Sequence, residues 1–578
     1  MDKTKKYYDE EMRYLEKEGA RFAEAFPESA ARLHLNSPGD RDPDVERLLE
    51  GFAFLTGRIR EQLDDDFSDV AANMLEHTAP EFLRQVPSLA MLQFQPRPGM
   101  LHKSYTIPRH TVVLSNPTGK ELRTCRFQTT REVTVHPLSL VHAGKTHHSE
   151  KGTGIVLTFL CEAESGNALF ETDLLPLFIH AERSISWRLH YLLNRMVKEV
   201  EIQTETSDIP LTGKARPAFF GAGYSESERL FPNTPNSPEN SRLLHEFFSF
   251  EEKFRFLEMK GWCHLRGKLV KNKISLCFYF SDAAASLLEN TPVQTDMFKL
   301  YTTPVINVYE SQAEPVRHDH SRFEYPVIAK AGYPDEVYAI KEVKSINPQS
   351  GKEINYRKMY APGSRVPAEK NSDTYYTVRR EHIKDSGYQS FVSLNGGHPE
   401  EELISFGIYT TNADFPRENI NEGDICNPVS GFPDFIRFEN ITRPTATCYP
   451  PKPSGYLWSL IAHFRMNLKT LCQKENFCNV LQLYDWAHSN SVKRINQKLT
   501  GLSLASDTFF LKGQLLRGAR ISITLQDNAF EDAGELNVLG EVLHRFFSGY
   551  ASINCAIALD IKLEPSGDLH SWLPEENG

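Results

Sequence analysis

The sequence predicts an α+β, multidomain chain: a helical N-terminal bundle segment over residues 1–88, two β-rich middle portions over 89–330 and 331–450, and a C-terminal α/β unit over 451–578. Three observations carry this. Apolar residues recur at helical spacing up to about residue 85, then fall into short alternating or continuous runs bounded by Gly, Pro, Asn or Ser from Leu89 to about residue 411. Pro444, Pro450, Pro451 and Pro453 mark a linker, and helical spacing returns beyond it.

In the first helix, Tyr8, Met12, Leu15, Phe22 and Phe26 share one side, with Gly19 among them as a place where a partner helix could come close. The second helix starts sharply, with Asp42 as N-cap, Pro43 as first helical residue, and Asp44 and Glu46 complementing the positive end of the helix dipole. Along it Val45, Leu48, Leu49, Phe52, Leu55, Ile59 and Leu63 fall within an arc of about 120°, while Phe54 points about 180° away from Val45. A stripe with a further Phe on its back needs two neighbours. A small isolated hairpin supplies only one.

The runs SLAMLQF, TVVLSN, EVTVHPL, GIVLTFL and LPLFIHA read as strands, followed by a helix over Ser184 to Val200 and a polar loop from Tyr224 to Arg242. KISLCFYF, PVINVYE, EVYAIKEV, YYTVRRE, FVSLN and LISFGIYT continue the strand pattern around a polar insertion from Asn347 to Asp373. Beyond the linker, GYLWSLIAHFRMNLKTL, VLQLYDWAH and SVKRINQKL are helical. Asp532 and Glu535 form a capping box for the last helix, whose Leu539, Val542, Leu543, Phe546, Phe547 and Tyr550 share one face opposite a polar one. That pattern predicts a helix packed on an internal core.

Composition narrows the function. The 65 Lys and Arg against 76 Asp and Glu give a net charge of −11, without the basic excess of a nucleic-acid binder. No uncharged apolar run reaches the roughly 18 residues of a membrane span, and the N-terminus lacks the apolar stretch of a secretory signal. The nine cysteines contain no CxxC pair, which fits a reduced, cytoplasmic setting.

Chemistry-bearing motifs are missing. Gly144-Lys145-Thr146 lacks the earlier glycine of a phosphate loop, since Ser139 stands there, and is expected to be an exposed turn. His245-Glu246 is followed by Ser249 where a zinc protease needs its second His, and there is no GxSxG elbow. His136, His142, His147 and His148 crowd one stretch without Cys or carboxylate at ligand spacing, and a solvated loop is expected. Asp64-Asp65-Asp66 lacks the alternating ligands and glycine of a calcium loop and is expected to be a helix end and interhelix turn, and Cys472 and Cys478 are read as core thiols. Phe247, Phe248, Phe250, Phe254 and Phe256 stand among charges and suit either a core segment or a partner surface.

Several segments, in order, resemble the TssF (VasA/ImpG) family of type VI secretion baseplate subunits. They are Tyr7–Leu33, Asp42–Phe67, Glu81–Pro96, Phe247–Met259, Phe298–Glu310, Leu515–Phe530 and Leu536–Asn554, so the resemblance spans nearly the whole chain. It implies likeness to contractile-phage baseplate wedge proteins, no enzymatic activity, no cofactor and no metal. It also implies a cytoplasmic place at the inner-membrane face. The implied partners are TssG, with two copies of this chain per TssG, together with TssE, TssK, the VgrG spike, the TssB/TssC sheath, the Hcp tube and the TssJ/TssL/TssM membrane complex. Candidate interface residues are Phe22, Phe26, Val45, Leu48, Phe52, Phe54, Leu55, Ile59, Phe250 and Phe254. Two readings of other classes are a β-rich hydrolase or carbohydrate-active enzyme with a carboxylate pair drawn from distant strands, and an effector or effector chaperone.

Overall fold

The computed structural model describes residues 3–32, 43–161, 173–203, 208–211, 216–232, 239–265, 272–347, 351–359, 374–383, 387–396, 401–451, 453–511, 513–552 and 555–574. Helices and strands are mixed throughout, as an α+β chain requires. The chain divides into two compact units, Met1–Thr78 with Pro451–Arg465, and Ala79–Pro450 with Met466–Gly578. The proline linker does mark a crossing, but the helix just after it joins the N-terminal helices. The rest of the C-terminal region joins the β-rich body.

The first unit is helical. It holds α1 (Lys3–Ala25), α2 (Pro27–Arg32), α3 (Pro43–Thr78) and the helix Pro453–Phe464. α3 begins at Pro43 as its fixed φ favours, and Asp44 and Glu46 sit in its first turn; the N-cap expected at Asp42 lies outside the described residues. α1 packs on α3 through small residues. A Cβ on Gly57 would stand 3.2 Å from the Tyr8 backbone nitrogen and 3.3 Å from the Tyr7 carbonyl carbon, so α1 and α3 approach closely at Gly57. Ala53, Ala71 and Leu75 are buried on the same side of α3, and Arg60 reaches Glu11 at 2.8 Å. In the helix Pro453–Phe464, Leu457, Leu460 and His463 are buried.

The second unit is built from sheets. A six-stranded sheet runs in the order Ile425–Pro428, Val112–Ser115, Arg126–Thr129, Thr302–Ile306, Leu89–Pro96, Ile436–Asn440. A five-stranded sheet carries Asp208–Leu211, Val197–Gln203, Lys273–Phe280, Gly152–Cys161 and Leu138–His148, and a four-stranded one centres on Phe256–Lys260 and Leu174–Ile179. Their inner faces share one core, with Leu92, Phe94, Phe127, Phe159, Trp262 and Phe278 among its members. A separate core, holding Val343, Val392, Ile404, Phe406 and Ile408, lies under a larger sheet built around Glu336–Ile346 and Glu402–Thr411.

Several sequence expectations shift at element ends. The helix expected over Ser184–Val200 stops at Arg195, and Val197–Gln203 is a strand, because this stretch pairs with Lys273–Phe280. The helix expected through GYLWSLIAHFRMNLKTL ends at Phe464. Asn467 then caps a short helix, Leu468–Leu471, by accepting the Thr470 N–H at 2.8 Å. Gly144-Lys145-Thr146 is not a turn: it lies inside the strand Leu138–His148, paired with Gly154 to Val156.

The last helix, Ala533–Ser548, has Asp532 as its N-cap, accepting from the Gly534 and Glu535 N–H groups, but the expected capping box is not closed, since the Glu535 carboxylate accepts from the Glu531 N–H at 2.8 Å. Its polar side is only partly solvated, through Glu541, Arg545 and Ser548. Glu535, Asn537 and His544 are buried along with Leu539, Val542, Leu543, Phe546 and Phe547. Arg183 bonds Glu251 at 2.8 Å, Glu531 at 2.5 Å and Glu535 at 2.8 Å, and Arg494 bonds Glu531 at 2.7 Å. This lattice of charges ties the C-terminal helices to the β-rich body, which is why the two do not separate into domains.

Candidate interaction surfaces

In the helical unit the large apolar residues and the packing residues of α3 occupy different faces. Leu48, Phe52, Leu55 and Ile59 are 74, 55, 62 and 60% exposed, and they lie within about 60° of one another around the helix. Val45 and Leu49, at the margin toward the packed face, are half-buried. The row continues further along α3 with Val70 and Met74, both more than half exposed, which places apolar side chains over about 39 Å from Leu48 to Met74 at 1.5 Å rise per residue. Sequence reasoning missed these last two; their helical phase, shared with Phe52, was the available signal. The backbone of Asp64, Asp65 and Asp66 is not the expected helix end and turn but lies within α3, which continues to Thr78; their side chains and that of Leu63 lie outside the described ones.

Phe54 is exposed on a different side of α3, and the rings of Phe22 and Phe26 meet near the end of α1, tilted by 41° with centroids 5.3 Å apart. Small residues allow close helix contact while large ones remain in water. An exposed apolar row of this kind is the feature by which interaction surfaces are recognised.

Phe250 and Phe254 are a different matter. They are 2 and 0% exposed, and Phe254 contacts Phe247 and Tyr224 at ring distances of 5.5 and 5.4 Å. The partner-surface reading of these two is therefore corrected: the strip is core, because the strand Phe256–Lys260 and the helix Glu239–Ser249 fold its aromatics inward. The charges between them are buried too. Glu246 accepts from Lys253 at 2.5 Å, from Arg242 at 2.9 Å and from the Leu230 N–H at 2.8 Å. Burial alone would raise the Glu246 carboxyl, but Lys253 and Arg242 together hold it below the usual carboxylate range. The neighbouring His245 lies among Phe82, Phe231 and Trp486, at ring distances of 5.0, 5.2 and 4.5 Å, and burial lowers it to about 4.

The other candidate groups disperse. His136 is buried and bonded to Ser104 at 2.7 Å, while His142, His147 and His148 lie on the strand Leu138–His148 and form no loop. Among the described residues no three His, Cys, Asp or Glu converge on a metal position. Cys472 is buried, with its thiol raised to about 11 by burial, whereas Cys478 is half-buried, and among the described residues no cysteine is joined in a disulfide. A cavity of about 360 Å³ is lined by Glu314, Arg317, Asp319, Arg322, Tyr325 and Pro326 among others. Its Asp319 accepts from the Ser321 hydroxyl and N–H, which hold it below the usual range and commit it to the loop. No helix among the described residues is long and apolar enough to cross a membrane.

A large sheet-built body, joined in one chain to a helical unit whose widest apolar stripe is left in water, defines a structural subunit of a larger assembly. The family described as "Type VI secretion system, TssF" matches residues 1–577. The chain belongs to the TssF family, the baseplate components of the type VI secretion system. It is 25% identical over 98% of its length to the type VI secretion system component TssF1 of Pseudomonas aeruginosa, covering 97% of that protein. It is similar to a chain of the TssK-TssF-TssG baseplate subcomplex solved by cryo-electron microscopy, at 25% identity and a TM-score of 0.78, over 92% of this chain and 99% of that one. A chain of a type VI baseplate complex matches at 25% identity and a TM-score of 0.65, over all of this chain and 99% of that one.

Proposed function

We propose that this chain is an architectural wedge subunit whose helical unit docks on TssG, with two copies per TssG, and whose sheet-built unit meets TssK and TssE. The row Leu48, Phe52, Leu55, Ile59, with Phe54 on another side, is the observation that carries the reading. A row of that length suits a bundle of helices drawn from several chains, in which each face of α3 finds a neighbour. The solved relative's occurrence in a TssK-TssF-TssG subcomplex supports the choice of partners.

Six such wedges would surround the VgrG spike, nucleate the TssB/TssC sheath and Hcp tube, and dock to TssJ/TssL/TssM at the cytoplasmic face of the inner membrane. The mechanism is geometric, and no cofactor or catalytic residue enters it. Firing requires interfaces with two stable arrangements. Coexpression with the neighbouring baseplate genes, followed by native mass of the purified complex, tests partner identity and the two-to-one ratio together. Phe54→Asp is expected to lower the yield of the TssG complex severalfold; unchanged yield would remove Phe54 from the interface.

A further inference from the structure

The C-terminal sheet ends in a strand that, among the described residues, has no strand paired on its outer side. The strands run Leu499–Leu511, Gln514–Gln526, Cys555–Glu564, Leu569–Trp572, so Leu499–Leu511 is an edge thirteen residues long. Leu511 pairs with Gln514 across the turn, which makes the odd-numbered residues from Ser503 to Leu511 the hydrogen-bonded partners of the inner strand. The N–H and C=O groups of Leu502, Leu504, Ser506, Thr508 and Phe510 therefore point outward. Among the described residues no backbone partner serves them, and the Thr508 N–H is held only by the adjacent Asp507 carboxylate, at 2.7 Å.

Natural edges of this length are usually guarded by charges, proline or bulges. From Leu502 to Leu511 the strand has no proline, and its one charge, Asp507, is neutralised by Arg520 at 2.7 Å on its own sheet. Among the described residues the inner strand is paired to Cys555–Glu564 only from Arg517 onward, so the end of the hairpin is a two-stranded ribbon. On that tip Phe510 and Leu515 face each other across the two strands and are 75 and 71% exposed. Two residues along the same face stand Thr508 and Arg517. Arg517 is exposed and has no carboxylate against it among the described residues.

We propose that this edge is completed by strand addition: an extended segment of a different chain pairs with Leu502–Phe510 and carries an apolar side chain toward Phe510 and an acidic one, two positions on, toward Arg517. Unpaired ladder groups take a strand and nothing else with comparable hydrogen bonding. The acidic residue follows from Arg517, whose side chain spans the roughly 4.8 Å width of one strand. A second copy of this edge cannot serve. On the relevant face it offers Leu502, Leu504, Ser506, Thr508 and Phe510, none of which carries a carboxylate.

The test is amide hydrogen exchange on the full chain, alone and within the complex purified after coexpression of the baseplate genes. The outward amides of Leu504, Ser506 and Phe510 exchange rapidly in the free chain, and the complex slows them at least hundredfold. Ser506→Pro leaves the inner-strand ladder intact, since that N–H points away from it, and abolishes the protection; Phe510→Asp weakens it without touching the edge backbone. Melting of each variant chain reports folding separately. A complex that forms with this edge still exchanging freely overturns the inference alone. A free chain that dimerises, and becomes monomeric with Ser506→Pro, overturns it in favour of a second copy. Failure of any complex to form counts against both this inference and the proposed function, but an unprotected edge within a formed complex leaves the proposed function standing.

Discussion

Replacing Leu48 and Leu55 together by aspartate separates an assembly surface from a monomer core. In the free chain these two are 74 and 62% exposed, and with Phe52 and Ile59 they leave about two and a half side chains' worth of apolar surface in water. At about 1.5 to 3 kcal/mol per fully buried large side chain, covering the row contributes about 4 to 7 kcal/mol, of which Leu48 and Leu55 hold about 2 to 4. Two carboxylates in a dry interface add a desolvation cost to that loss. The expected effect is at least about a hundredfold weaker association, at about 1.4 kcal/mol per tenfold. The assay is competition: variant and native chains are coexpressed with tagged TssG and their captured ratio is read by mass. The free variant should melt within a few degrees of the native chain, because aspartate in an exposed helical position costs only about 0.7 kcal/mol or less. Capture at parity, or a free chain that no longer folds, would refute the separation of faces on α3.

Phe546→Ala, at a fully buried ring contacting Tyr550 at 5.4 Å, should cost about 3 to 5 kcal/mol in urea unfolding; unchanged melting with lost assembly would instead make that helix an interface. Gly57→Val should weaken the α1–α3 contact by about 1 to 3 kcal/mol, because its side chain meets the Tyr8 backbone and cannot be accommodated by a rotamer change; helicity and limited proteolysis of the N-terminal helices report it. His190 and His245 are both lowered to about 4 by burial. Between pH 6.5 and about 4 the unfolded chain therefore binds protons that the folded chain refuses, so stability falls as pH falls through that window, by up to about 2.7 kcal/mol per pH unit for the two together. Urea midpoints at pH 7 and pH 5 measure the slope, and His245→Phe should flatten it by about half; an unaltered slope would mean that His245 is not held neutral.

Periodicity made much of the secondary structure legible, because an element's interior pattern is local: the start of α3 at Pro43, the strands Leu89–Pro96 and Glu402–Thr411, and the cap at Asp532 all follow from neighbours along the chain. What periodicity cannot read is which side of an element water reaches. Leu48 and Phe546 have the same sequence signature, a large apolar residue on a helical stripe, yet one is exposed and the other enclosed. The difference is that α3 presents Ala53 and Gly57 to its neighbour, whereas the last helix turns its aromatics into the interior and keeps Glu541, Arg545 and Ser548 partly in water. Phe250 and Phe254 show the reverse case: aromatics among charges suited a core or a partner surface equally well until Glu246, Lys253 and Arg242 proved to satisfy one another in the interior.

By itself, then, the sequence determined the element types, the family and the lack of a catalytic motif, since these rest on local spacing and residue identity. Only the tertiary structure decided that the helix after the proline linker belongs with the N-terminal helices, that the large side chains of α3 face outward, and that the strand Leu499–Leu511 has an open edge. Those facts depend on which distant segments compete for the same surface, and the free energy of burial depends on the neighbour as much as on the residue being buried.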